Sequence, residues 1–179
     1  MFIALTGTIG SGKNTVAEYI VNKYGFVFAS GSEIIAERVK ERGLLVTREN
    51  MRVIANELRS KNGNMLIDLT IDKVSIADYS VIGFLRTENE IKRLKELKPH
   101  AILIAVDAPV DVRYQRVVQR NEEKDQVSFE EFVRSEEIEM NSKDPNTQNM
   151  QYCIEHSDHM IRNDSNLENL YSKIDALLK

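Results

Sequence analysis

The chain has 179 residues, 42% hydrophobic and 29% charged, with a net charge of −4, proportions of one soluble domain with room for a real core. That acidic balance argues against nucleic acid as the main partner, and no apolar stretch approaches the ~20 residues of a membrane span. A single cysteine, Cys153, cannot make an internal disulfide, so a cytoplasmic, reducing location is expected.

Phe2 to Leu5 is a short uncharged apolar run that reads as a buried strand, too quickly broken by glycine for a signal peptide. A glycine-rich turn follows at Gly7, Gly10, Ser11 and Gly12, then Lys13, Asn14 and Thr15. Val16, Ile20 and Tyr24 then recur at helical spacing. Strand, glycine loop, lysine and helix form the context of a phosphate-binding loop. Glycines let consecutive N–H groups turn inward on anionic oxygens, and the helix adds its positive end. Lys13 supplies a point charge for the outer phosphates. The pattern G-x-x-x-x-G-K-[ST] departs at its last position, Asn14, where a hydroxyl would ligate Mg²⁺.

Gly25 ends the first helix, and Phe26 to Ala29 is a second strand. Helices follow from about Ser32 to Arg42 (Ile35 and Val39 inward), from Thr47 (Met51, Ile54 and Leu58 on one face), and from Met65 to Val74. Tyr79 to Phe84 is the third strand. Thr87 and Glu90 form a capping box for a helix with Ile91, Leu94 and Leu97 buried. Ala101 to Val106 is a continuous apolar strand, as in a parallel sheet. The next helix turns Val110, Tyr114 and either Val117 or Val118 inward. Residues 121–127 are polar and are expected to form a mobile loop. Ser128 and Glu131 cap a helix to about Met140, and Asn141 to Asn146 is a second polar break. Met150, Cys153 and Ile154 mark a short helix, and His159 to Ile161 a weak strand. Ser165 and Glu168 are expected to cap the closing helix, with Leu167, Leu170, Ile174 and Leu177 inward. Alternating strands and helices predict one α/β domain over 1–179, a mainly parallel sheet of about five strands whose carboxyl ends carry the ligand.

These motifs give the chain a resemblance. It resembles P-loop nucleotide kinases, in particular dephospho-CoA kinases and the adenylate-kinase-related proteins of archaea and some bacteria. ALTGTIGSGKNTVA is similar to the dephospho-CoA kinase opening, and Thr47, Glu49 and Asn50 match a T-x-E-N run of the archaeal proteins. Gly83 to Thr87, GFLRT, is similar to the D-G-F-P-R-T of adenylate kinases, and VDAPVDVRYQRVVQR to their strand and lid helix. Ser157 to Ser165 is similar to the last strand and adenine-side loop of both groups. Departures are Asn14, Ile82 where an acid would precede G-F-x-R, and Gly31 where the first Asp of a D-A-D run would stand.

The resemblance implies the P-loop NTPase fold, with a helical acceptor-binding segment about 32–75 and a lid about 116–146. It implies ATP and Mg²⁺ as cofactors and a small-molecule nucleotide as the partner, with no nucleic acid or membrane involved and the oligomeric state open. Lys13 would bridge the transferred phosphoryl, because this chemistry needs position and positive charge. Arg116 and Arg120, four apart on one helix, would close as lid arginines, with Arg134 a further candidate. Arg86 would grip a phosphate two-pronged. Among Arg38, Arg42, Arg48 and Arg52, one or two would meet the acceptor. Glu33 would orient the acceptor oxygen or, through water, the metal, with Asn14 also near the metal. Asn163 and Asp164 would line the adenine. A single carboxylate on the acceptor side tilts the reading to a (deoxy)nucleoside monophosphate, whose oxygen is already ionised. Dephospho-CoA as acceptor, and a nucleotide-binding module without turnover, are the alternatives.

Overall fold

A computed structural model describes residues 1–120 and 127–179. Five parallel strands lie in the order β2-β3-β1-β4-β5: β1 Phe2–Gly7, β2 Val27–Ser30, β3 Ser80–Leu85, β4 Ile102–Asp107 and β5 His159–Arg162. β1 is central, so the glycine loop leaves the middle of the sheet at its carboxyl edge, with the ends of β3 and β4 on either side.

Alternation along β1 decides which helices cover which face. Ile3 and Leu5 face α1 (Lys13–Tyr24) and α9 (Leu167–Leu178), packing with Val16, Ile20, Leu170 and Ile174. Ala4 points the other way, to α4 (Met65–Asp72), α5 (Glu88–Leu97) and α8 (Met150–Glu155), with Ile71, Ile91, Leu94 and Cys153. A third cluster joins α2 (Gly31–Glu41) and α3 (Arg48–Lys61) through Ile35, Val39, Ile54 and Ala55. The helical segment between β2 and β3 thus carries a small core of its own beside the sheet. Two further helices, α6 (Val110–Arg120) and α7 (Phe129–Met140), complete the described elements. The expected mobile loop at 121–127 lies almost wholly outside the described residues.

Local differences from the sequence reading have local causes. The closing helix is capped by Asn166, whose side chain accepts from the Asn169 N–H at 2.9 Å, and not by Ser165. That one-residue shift turns Leu167 outward. Leu97 also ends exposed, in the last turn of α5, and Val117 rather than Val118 is the buried member of its pair. α2 starts at Gly31, capped by Ser30.

β3 is irregular beside the site. Leu5 pairs with Gly83 and Thr6 with Leu85, so Phe84 is an extra residue on β3. Its φ is +92°, the one positive value at a non-glycine among the described residues. Bulges of this kind re-aim a side chain, and the left-handed backbone is strained for an aromatic residue.

Candidate active site

The loop is held from beneath. Gly12 is the N-cap of α1 at φ 97°, left-handed, and a Cβ there would collide with the Asn163 side-chain amide. That amide donates to the Ser11 carbonyl at 2.8 Å. The Thr8 hydroxyl donates to Asp107 at 2.7 Å, and the Asn163 N–H donates to the Asp107 carbonyl at 2.7 Å. The ends of β4 and β5 therefore fix the loop's shape.

Arg113 of α6 completes the support. Its Nε donates to the Ala108 carbonyl at 2.7 Å, and Nη1 donates to the Ile9 carbonyl at 3.3 Å. Both terminal nitrogens meet the Glu136 carboxylate of α7, at 2.5 and 2.9 Å, in the two-pronged geometry of a strong pair.

Lys13 folds into the loop. Its Nζ donates to the carbonyls of Gly7 at 2.8 Å and Thr8 at 2.6 Å. Burial, then the Arg86 charge, bring its pKa from 10.5 down to about 7; Glu139 opposes this, while Arg120 and Arg113 add to it. An anion placed beside this ammonium relieves the penalty directly.

Lys13 opens onto a cavity of about 170 Å³ between the sheet edge, α2 and α3. Cations line it from several elements: Lys13, Arg48, Arg52, Arg86 and Arg120. Phe28, Ile35, Met51, Ala55 and Phe84 make its apolar wall. The side-chain oxygens on it belong to Asn14, Ser30, Ser32, Glu139 and Gln148. Arg86 donates from Nη1 to Glu139 at 2.6 Å and to Gln148 at 3.2 Å, and its guanidinium lies 4.9 Å from the Phe84 ring centroid.

The predicted residues divide. Lys13, Gly10, Asn14, Arg86 and Arg120 come together on the cavity, and Arg48 and Arg52 join them. Arg38 and Arg42 turn away to pair with Glu41 and Glu57. Arg134 is exposed and off the cavity. Thr15 is half-buried and absent from its wall. Glu33 requires correction: it is exposed in the first turn of α2 and does not reach the cavity. With the helix starting at Gly31, Ser32 and Ile35 take the cavity face, and Glu33 sits one helical step round from Ser32. Asn163 is likewise corrected: it is buried and holds the loop from behind instead of opening to a base. Asp164 pairs with Arg162 on the surface. Arg116 does not project with Arg120; its Nη2 donates to the Asn163 carbonyl at 3.1 Å, away from the cavity wall.

Sequence reasoning missed Arg113, Glu136 and Glu139. Arg113 stands four before Val117 on the inward stripe of α6, and a charge on an apolar stripe is the signal that was available. The two glutamates carry no local signal, because their partners lie on other elements.

For a nucleotide-borne Mg²⁺ the wall offers the Asn14 amide oxygen beside Lys13 and the hydroxyls of Ser30 and Ser32, 2.7 Å from each other. Mg²⁺ accepts such a set, since it usually keeps several waters and takes few protein oxygens.

Sheet order, glycine loop and a half-buried lysine define a P-loop protein with the kinase fold. A family model described as an AAA domain matches residues 6–134. A UPF0200 protein of Thermococcus sibiricus is 30% identical over 184 residues, covering 99% of this chain and 93% of that one. The chain belongs to both the AAA-domain family and the UPF0200 proteins. Among solved structures, TT1252 from Thermus thermophilus superposes with a TM-score of 0.63 at 21% identity, over 99% of this chain and 96% of that one. Shikimate kinase from Aquifex aeolicus superposes with a TM-score of 0.59 at 19% identity, over 99% and 96%. No helix among the described residues is long and apolar enough to cross a membrane.

Proposed function

We propose that this protein is an ATP-dependent, Mg²⁺-requiring kinase that passes the γ-phosphoryl to a nucleotide acceptor, a nucleoside or deoxynucleoside monophosphate. The observation that carries the reading is the cavity itself. Four arginines and Lys13 line it, and Glu139, the one carboxylate on it among the described residues, is held by Arg86. A hydroxyl acceptor benefits from a carboxylate to take its proton, whereas a phosphate acceptor arrives ionised and needs cations. In this reading Lys13 and the loop amides hold the ATP phosphates, and Arg120 approaches them from α6. Arg86, Arg48 and Arg52 grip the acceptor phosphate, and the apolar wall takes its base and sugar. The Asn14 amide would hold Mg²⁺, which when bound neutralises phosphate charge.

The test is ADP release coupled to a reporter, against a panel of nucleoside and deoxynucleoside monophosphates and dephospho-CoA, with Lys13→Ala as control. Turnover with a monophosphate above that control is expected. Turnover with dephospho-CoA alone overturns the acceptor assignment. ATP that raises the melting temperature while no acceptor yields ADP overturns the kinase itself.

A further inference from the structure

Arg59 and Glu90 form an ion pair that the phosphate chemistry does not use. Each is only 1% exposed. Arg59 sits on α3, the helix that brings Arg48 and Arg52 to the cavity. Its Nε donates to Glu90 Oε1 at 3.0 Å. Nη2 lies 3.0 Å from the same Glu90 oxygen without hydrogen-bond geometry, and Nη1 has no hydrogen-bond partner among the described residues. Burying a charged pair this incompletely satisfied is unfavourable compared with apolar packing of the same volume.

The capping box of α5 does not account for it. The box of α7, Ser128 with Glu131, is exposed and closes with no arginine on its glutamate among the described residues. Glu90 does more than Glu131. Its Oε2 accepts from the Thr87 N–H at 3.2 Å, as a cap requires, and also from the Arg86 N–H at 2.7 Å. The Arg59 guanidinium in turn lies 5.6 Å from the ring centroid of Phe84, the strained bulge residue two positions before Arg86.

We propose that Arg59 is a positioning residue: through Glu90 and Phe84 it sets the direction in which Arg86 meets the acceptor, and it couples that grip to the position of α3. The proposal rests on the kinase reading for its acceptor. One rigid helix carries two arginines onto the cavity and a third behind β3. A shift of α3 around an acceptor is therefore passed to the Arg86 backbone by the buried pair.

The experiment compares the parent with Arg59→Lys and with the double variant Arg59→Met/Glu90→Gln. The double variant leaves no lone buried charge, and its glutamine still offers an oxygen to the Arg86 and Thr87 amides. Melting temperatures establish that each is folded. With the monophosphate the parent uses best, the double variant is expected to raise the acceptor KM about tenfold and to leave the ATP KM within about twofold, whereas Arg59→Lys, which keeps a cation on Glu90, is expected to stay near the parent. An unchanged acceptor KM in the folded double variant overturns the proposal. If the parent turns over no monophosphate, the kinase reading fails separately, and hydrogen exchange at the Arg86 and Thr87 amides decides. Faster exchange in the double variant, with loss of the protection given by inorganic phosphate, supports the coupling; unchanged exchange overturns it.

Discussion

Glu139 and Arg86 meet at 2.6 Å on the cavity wall, one from α7 and the other from the end of β3. The pair is mostly buried on both sides, and a phosphate approaching Arg86 must compete with the carboxylate already on it. Glu139→Gln should therefore strengthen acceptor binding about fivefold, the scale of one modest charged hydrogen bond, while Arg86→Ala weakens it. Acceptor KM and calorimetric affinity for the monophosphate check both directions. Weaker binding in Glu139→Gln would instead mark the carboxylate as a ligand contact.

Lys13 makes nucleotide binding proton-coupled. Its pKa of about 7 in the ligand-free fold rises when a triphosphate settles beside it. At pH 8 the complex should take up close to one proton per ATP, read as a dependence of binding enthalpy on buffer ionisation. Lys13→Ala removes that dependence. The sign for folding is fixed by the same shift. Between pH 7 and 10.5 the unfolded chain holds a proton that the fold has released, so this group favours the fold increasingly as pH rises through that window.

Asn163→Ala should loosen the loop without touching the nucleotide. It leaves the Ser11 carbonyl unpaired in a buried place, at a cost of about 1–3 kcal/mol, and ATP affinity should fall along with melting temperature. Gly12→Ala should do worse, because it adds a left-handed backbone penalty to a collision with the same amide. Thermal melts with and without ATP measure both.

Cys153 should be chemically silent. Burial, then the nearby Glu90, push its thiol up to about 12. Iodoacetamide at pH 8 should leave the folded protein unmodified by mass and label it fully after denaturation.

The parts of this site readable in the sequence are those whose causes are local. The glycine loop, Lys13 and the capping box at Thr87 each announce themselves within a few residues. Glu33 failed for a geometric reason: proximity in sequence does not set helix phase, and the Ser30 cap does. Asn163 failed because a polar residue after the last strand can face a ligand or the loop, and only the packing beneath Gly12 decides. Arg113 was marked by its place on the apolar stripe of α6, but its partner and that of Arg59 were illegible, because they arrive from 23 and 31 residues away, across elements whose docking no spacing rule contains. The pattern of strands and helices was legible throughout, since alternation and apolar stripes follow directly from burial on one or both faces.

Gly31, the first residue of α2, lies against the ring of the bulge residue Phe84, and this packing has an evolutionary side. A Cβ at position 31 would stand 2.7 Å from the Phe84 ring, and position 84 holds a backbone that glycine adopts freely. The two sites are therefore bound to trade bulk as a couple. A library randomising both should return the small–large pairing found here and its reversal, alanine or serine at 31 with glycine at 84, far more often than two bulky residues together.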